Sequence, residues 1–483
     1  MGRPFADGSN APETGAPAAP WTGRRLHLIG IGGAGMSGLA LVARALGATV
    51  TGSDRADSSF CARLRSAGVE PAIGHDAANV PPDAEVVVST AIAADNPELR
   101  AARDRGAPVI HRGDLLAQAA RLKRSIAVSG THGKTTTASM AAHVLSRAGR
   151  EPGYLIGGEL RSAGTNAAWG AGEWAVVEAD ESDRSFLALD PEVAVVTNME
   201  LDHHATYRST LELEAAFAEF AASAPVRIAW EAIVAGRSGP GPSNAGPRLA
   251  VEGVETFGIG AGDLAAERVR LEPHGSAFVV DGVEVALPVP GEHNVLNALA
   301  AVAACRRAGV ALGEAATALA DFAGAARRFE GRGRTAAGAR VVDDYAHHPT
   351  EVRAALEAAR TLDARRVVAC FQPHLYSRTN HLAREFGRAL ALADVACVLA
   401  IYPARERQED HPGVSGWQVA AATADAGGGR PVYWTPSMDD AERLLRAELR
   451  EGDVVLTLGA GDVDRLAARL TASEAGGRPA EAA

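Results

Sequence analysis

Lysine is almost missing from this chain: of 48 basic residues only Lys123 and Lys134 are lysine, and the rest are arginine. Cysteine is scarce too. Cys61, Cys305, Cys370 and Cys397 are scattered without C-x-x-C spacing, which argues against a cysteine zinc site or a disulfide framework and predicts buried free thiols. No run of about 18 uninterrupted apolar residues is present to span a bilayer. The first twenty residues carry no apolar segment behind a basic start, so no secretory signal is expected and the predicted location is cytoplasmic. Positive charge is also in deficit. A net charge of −11 leaves no basic footprint for nucleic acid or an anionic membrane, so neither is expected as a partner, and an anionic substrate would have to meet locally positive sites.

What is present is length and apolar content. At 483 residues, 47% of them hydrophobic, the chain is long enough for about three domains at ~150 residues each. From Leu26 onward, short β-rich runs alternate with amphipathic helical stretches, the pattern of α/β units with parallel sheets. Strands are expected at LHLI, ATVTGSD, EVVVS and PVI, then SIAVS, WAVVEA and VAVVTN, and finally ARVVDD, RRVVACF, DVACVLAI and DVVLTLG. Asp281-Gly282 predicts a hairpin, with a helix from about Asn294 to Arg307, and the Gly-, Pro- and Ser-rich stretch 236–247 reads as a loop. The expected division is a tail over 1–20, domains over 21–121, 122–326 and 327–471, and a second tail over 472–483. Both tails are Gly-, Ala- or Pro-rich without periodicity and are expected to be disordered.

The strongest motif is Gly130-Thr131-His132-Gly133-Lys134-Thr135-Thr136, between an apolar strand and a helix. Its glycines let backbone amides curl around phosphate oxygens, Lys134 reaches the terminal phosphates, and the Thr135 hydroxyl can ligate Mg²⁺. Val128 stands where the longer Walker form has its first glycine. A chance match to the shorter G-x-x-G-K-T form is expected on the order of once per thousand chains of this composition. One of only two lysines thus stands where a phosphate loop needs one.

A second glycine loop, Gly30-Ile31-Gly32-Gly33-Ala34-Gly35, also joins a strand to a helix, and Asp54 ends the following strand. Alone it is weak, since roughly 0.6 chance matches are expected in such a chain. It suits a nicotinamide dinucleotide or any other diphosphate ligand.

Carboxylates follow two strands: Glu178, Asp180, Glu181 and Asp183 after WAVVEA, and Glu200, Asp202, His203 and His204 after VAVVTN. In a doubly wound sheet these loops share the crevice of the phosphate loop, where carboxylates suit Mg²⁺. Further constellations are Glu292-His293-Asn294 with Asn297, Arg327-Arg328-Phe329-Glu330, Asp344-Tyr345-Ala346-His347-His348, and Gln372-Pro373-His374 with Arg378. Asn and His can read a purine edge, Arg can clamp phosphate or carboxylate, and Asp can accept from ribose hydroxyls. Each is also compatible with an ordinary turn or surface residue.

Taken in order, HLIGIGGAGMSGLA, SGTHGKTTT, EADESD, NMELDH, GEHNVLNALAA, RRFE, DDYAHHPTE and FQPH-x-YSRT resemble the Mur ligase family, over about Leu26 to Asp462. The resemblance implies a Rossmann-like N-terminal domain for a UDP-sugar, a central P-loop ATPase-like domain and a Rossmann-like C-terminal domain. It implies ATP and Mg²⁺ as cofactors, UDP-N-acetylmuramate and L-alanine as substrates, and amide formation through an acyl phosphate in peptidoglycan synthesis. The implied ATP site is Gly130 to Thr136 with His293, Asn294, Asn297, Arg327 and Asp344. Thr135, Glu178 and His203 would hold metal, and Lys134, Glu178, His203, His347 and Arg378 would serve catalysis. Gly30, Gly32, Gly33, Ala34, Gly35 and Asp54 would then bind the UDP moiety.

A recycling ligase that attaches a tripeptide to the same sugar acid is the nearest alternative, and an NAD-dependent oxidoreductase is a more distant one. A monomer or weak homodimer is expected. Three departures concern the substrate side: Leu375 where many relatives carry arginine, Arg184 after ESD, and the variant run Ile401 to Glu406. No lysine follows Lys134, so the carbamylated lysine of several sister ligases has no counterpart, and the resemblance gives His203 its metal-holding role.

Overall fold

The computed structural model describes residues 19–472 except 205 and 238–245. Most of both expected tails, and most of the 236–247 loop, lie outside the described residues. Ala19 and Pro20 lie inside, where the Ala19 carbonyl accepts from Thr22 N and begins a turn into the first strand.

Three sheets follow one another. The first holds β1 (Arg25–Ile29), β2 (Thr49–Asp54), β3 (Ala72–Ile73), β4 (Glu85–Val88) and β5 (Val109–His111) in the order β3-β2-β1-β4-β5, all parallel. The second holds β6 (Arg124–Ser129), β7 (Gly153–Leu160), β8 (Thr165–Trp169), β9 (Trp174–Glu178), β10 (Val193–Val196), β11 (Val226–Trp230), β12 (Val254–Ile259), β13 (Leu264–Glu272), β14 (Gly275–Val280) and β15 (Val283–Leu287). Its order is β15-β14-β13-β12-β11-β10-β6-β9-β7-β8, with β6 paired in parallel to both β9 and β10. The third holds β16 (Glu330–Arg334), β17 (Arg340–Asp344), β18 (Val367–Phe371), β19 (Val395–Val398), β20 (Val432–Trp434) and β21 (Val454–Leu458), ordered β16-β17-β21-β18-β19-β20. The molecule is therefore a three-domain α/β protein.

The strands expected from sequence form, and so does the Asp281-Gly282 turn. Val280 pairs with Val283, with φ +47° at Asp281 and +80° at Gly282, as a tight hairpin of this kind requires. Parallel sheets alone do not describe the fold: β13, β14 and β15 are antiparallel, as are β7 with β8 and β16 with β17. Each of these pairs is joined by a short loop, which returns the chain beside itself and leaves no room for a crossover helix.

Leu26, Leu28 and Leu39 of the first domain share one apolar cluster with Leu155, Ala167 and Phe186 of the second. The other face of the second sheet packs on the helix Glu292–Arg307, and the third sheet has clusters of its own. All four cysteines are buried and free. No helix among the described residues is long and apolar enough to cross a membrane.

Candidate active site

β6 ends at Ser129, and the chain turns through Gly130–Gly133 into the helix Lys134–Arg147. Glycine is required twice in this turn. A Cβ on Gly130 (φ +136°) would lie 2.1 Å from Thr197 Oγ1, and one on Gly133 (φ +80°) 2.4 Å from Asn297 Oδ1. The loop is pinned by the carboxyl end of β10: His132 N donates to Asn198 Oδ1 at 2.8 Å, and Asn198 Nδ2 donates to the His132 carbonyl at 2.9 Å.

Lys134 Nζ lies within the turn. It donates to the Gly130 and Thr131 carbonyls and sits 2.9 Å from Glu181. Burial opposes its charge, but Glu181 and Asp180 more than offset that and hold its pKa above the ordinary value. Thr135 Oγ1 donates to Glu178 Oε1 at 3.1 Å, and Gly157 N donates to the other oxygen of the same carboxylate at 2.7 Å. A hydroxyl and a carboxylate side by side at a phosphate loop are the donors that Mg²⁺ favours.

His203 approaches the same group from the β10 side. Its Nε2 is 3.6 Å from both Glu181 and Asp202, and its Nδ1 has no hydrogen-bond partner among the described residues. The residue holds φ +52°, and its carbonyl accepts from Thr206 N and Tyr207 N, so a tight turn aims the ring. Asp180 and Asp183 face Arg112 of the first domain. Burial alone would raise the Asp180 carboxyl, but Arg112 and Lys134 hold it well below the usual carboxylate range.

The third domain closes over this loop. Arg378 and Asp202 form a buried, two-pronged ion pair, Nε to Oδ1 at 3.0 Å and Nη2 to Oδ2 at 2.8 Å. His374 Nδ1 lies 3.2 Å from Arg378 Nη1, and the His374 ring meets that of His347 edge-on at 5.9 Å. Burial pushes His347 down to about 3 and His374 to about 2, with Arg378 adding to both, so both imidazoles are neutral at neutral pH. His132 has the opposite character: burial opposes its charge, but Glu200 and Glu351 raise it to about 10.

Between the second and third domains lies a cavity of about 600 Å³ lined by His132, Asn198, His293, Asn297, Phe257 and Asp344 among others. His293 is pushed down to about 4 by burial, and Asn297 bridges Thr137 of the phosphate-loop helix to Asn294. Asp344 accepts from Phe329 N and Ala346 N, and burial pushes it up to about 6. A second cavity, of about 720 Å³ around Lys123 and Trp169, opens at the amino end of β6, opposite the phosphate loop.

Not every expected residue faces this cavity. Arg327 (φ +58°) turns into its own domain, donating to Asp343 and to the Gly459 and Gly461 carbonyls. Its neighbour Arg328 is the one that reaches the phosphate loop, Nη2 to Thr135 Oγ1 at 3.0 Å. The Gly30 loop lies apart from the others, at the junction of the first two domains. Asp54 Oδ2 accepts from Gly32 N at 2.9 Å and Asn166 Nδ2 donates to the Ala34 carbonyl at 2.7 Å, so Asp54 fixes the shape of the loop. Glu181, Asp202 and Arg328 were named from sequence only as members of their motifs, with no individual role, and Glu351 only as the end of the run DDYAHHPTE. Their neighbours gave the only local signal, because their partners are distant in the chain.

Three family models match the chain: "Mur ligase family, catalytic domain" over residues 25–124, "Mur ligase middle domain" over 128–305, and "Mur ligase, glutamate ligase domain" over 327–461. A UDP-N-acetylmuramate--L-alanine ligase from Acidithiobacillus ferrooxidans is 45% identical, covering 92% of this chain and 97% of that protein. The crystal structure of a UDP-N-acetylmuramate-alanine ligase from Thermotoga maritima superposes with a TM-score of 0.77 at 30% identity, covering 92% of this chain and 98% of that one. A murein peptide ligase from Psychrobacter arcticus superposes with a TM-score of 0.69 at 26% identity, covering 93% and 98%.

Proposed function

The chain belongs to the Mur ligase family, and from that premise we propose that it joins L-alanine to UDP-N-acetylmuramate at the expense of ATP. The single observation that carries the chemistry is Lys134 set in the Gly130–Gly133 turn beside the Thr135–Glu178 pair. Strong full-length likeness to the alanine ligase of Acidithiobacillus ferrooxidans favours alanine over a tripeptide, and the Lys134 loop speaks against an oxidoreductase.

In this reading ATP lies in the cavity between the second and third domains, its base against His293, Asn294 and Asn297 and its ribose near Asp344. The γ-phosphoryl group passes to the muramoyl carboxylate, releasing ADP. The alanine amine then attacks the acyl carbon, the amide bond forms, and inorganic phosphate leaves. Lys134 and Arg328 stabilise the charge that builds on the phosphoryl oxygens. Thr135 and Glu178 offer the oxygen donors that Mg²⁺ favours, and His203, whose Nδ1 has no partner among the described residues, would stand beside them as the family's further metal-holding residue. When bound, the ion neutralises phosphate charge.

The Gly30–Gly35 loop takes the UDP moiety, with Asp54 as its brace. His347 and Arg378 stand on the side where alanine enters. Neutral His347 and His374 keep lone pairs available to an ammonium group that must lose a proton before it can attack. The protein acts in the cytoplasm, as a monomer or weak homodimer.

Phosphate release from ATP and Mg²⁺ with UDP-N-acetylmuramate, with and without individual amino acids, tests the proposal. Release that requires the UDP-sugar and is driven by L-alanine is expected. Release driven by a tripeptide and not by alanine would overturn the substrate, and no coupling to ATP would overturn the reaction.

A further inference from the structure

Three side chains cluster at the meeting of the second and third domains: His132 and Glu200 line the cavity assigned to ATP, and His348 lies beside them with no assigned part in the ligase chemistry. His132 lies in the phosphate loop, Glu200 follows β10, and His348 precedes the helix Pro349–Arg360. Each offers one donor atom, and the three atoms lie within 4.8 Å of one another. A Glu200 oxygen is 3.5 Å from His132 Nε2 and 3.5 Å from His348 Nδ1, and the two imidazole rings pack with centroids 4.5 Å apart.

The tautomers suit a shared ligand. His132 Nε2 is buried and has no hydrogen-bond partner among the described residues, because its contact with Glu200 is too long for one. Its other nitrogen, Nδ1, faces Glu351 Oε1 at 3.3 Å, which places a proton on Nδ1 and frees the Nε2 lone pair once a cation replaces the second proton. His348 Nδ1 is also an acceptor: it caps its own helix through a long, 3.4 Å contact from Thr350 N, which a bound cation would replace. Thr350 Oγ1 orients the Glu200 carboxylate by donating to it at 2.6 Å. A carboxylate behind one imidazole and a hydroxyl behind the ligating carboxylate are the outer contacts that hold metal ligands in place.

We propose that His132, Glu200 and His348 bind one late first-row divalent cation, zinc by preference, which ties the second domain to the third. Two imidazoles and one carboxylate suit zinc with a fourth position open, whereas Mg²⁺ selects oxygen donors, as at Thr135 and Glu178. Because His348 comes from the third domain and the other two ligands from the second, the cation is held only when the domains are closed. Binding displaces a proton from His132. The proposal stands on this cluster and does not depend on the ligase substrate.

The test uses the untagged, metal-free full chain titrated with Co²⁺ in buffer containing excess Mg²⁺, followed by visible d–d absorption. One Co²⁺ per chain with four-coordinate intensity, displaced by Zn²⁺, is expected. His348→Ala and Glu200→Gln should each weaken binding ~10-fold or more, and Glu351→Gln, which removes only an outer contact, by ~10-fold. His203→Ala should leave it unchanged, which separates this site from the magnesium donors. Absent absorption, absorption that survives both His348→Ala and Glu200→Gln, or absorption lost with His203→Ala alone would overturn the proposal. Circular dichroism of each variant confirms that it is folded.

Discussion

The two joints of this molecule are built differently. At the first, between the N-terminal and central domains, a single apolar cluster runs from Leu26 and Leu39 through to Leu155 and Phe186, and Gly38 allows its helix to approach Asn166 and Ala167. At the second, between the central and C-terminal domains, the cores stay separate. The bridging contacts there are polar: Arg378 to Asp202, His132 to Glu351, Thr350 to Glu200 and Arg328 to Thr135. Apolar burial is lost whenever a joint opens, while a polar contact can be exchanged for water or ligand. In the proposed reading, the contrast gives a fixed seat to the Gly30–Gly35 loop, assigned to the UDP-sugar, and a separable one to the cavity assigned to ATP, which lies within the polar joint.

The largest effect belongs to Lys134→Ala. Turnover should fall ~10³-fold or more, with UDP-sugar binding at the first joint preserved in calorimetry; equal loss of both would erase the distinction. Next comes Asp202→Ala, which leaves the buried Arg378 guanidinium unpaired. Breaking such a pair costs ~3–5 kcal/mol, and scanning calorimetry should show the C-terminal domain melting apart from an unchanged first joint.

Arg328→Ala should lower phosphate release ~10²-fold, whereas Arg327→Ala should chiefly lower the melting temperature of the third domain. The reverse pattern would return the phosphate role to Arg327. Gly38→Val overpacks the apolar joint at a cost of ~1–3 kcal/mol, and should raise the KM for the UDP-sugar without changing that for ATP.

The smallest effect is acid sensitivity inside the first domain. Burial alone would raise Glu98, but His27, Ser53 and Asn79 hold it at about 2 against an ordinary 4.5. A depressed carboxyl contributes stability that is complete above about pH 4.5 and is lost as pH falls towards 2. Glu98→Gln should flatten the melting temperature of that domain over this range.

Local signals made part of this legible in advance. Gly130, Gly133, Lys134 and Thr135 encode backbone freedom, charge and a hydroxyl within six residues, so the turn from β6 into its helix could be read directly. Asp281-Gly282 gave its hairpin for the same reason. The hairpin of β7 and β8 was not legible, because Gly157-Gly158 interrupts its apolar run. Nor was the Arg378–Asp202 pair, whose members lie 176 positions apart with nothing local to join them. The choice between Arg327 and Arg328 depends on a left-handed φ at Arg327, which adjacent identical residues cannot announce.

Hydrogen exchange across both joints tests the central contrast most directly. Without nucleotide, amides of 130–132, 198–204 and 345–348 should exchange faster than those of 34–40 and 153–156. An ATP analogue with Mg²⁺ should slow the first group and leave the second unchanged. Faster exchange at the apolar joint, or protection by nucleotide there and not at the polar one, would contradict the account.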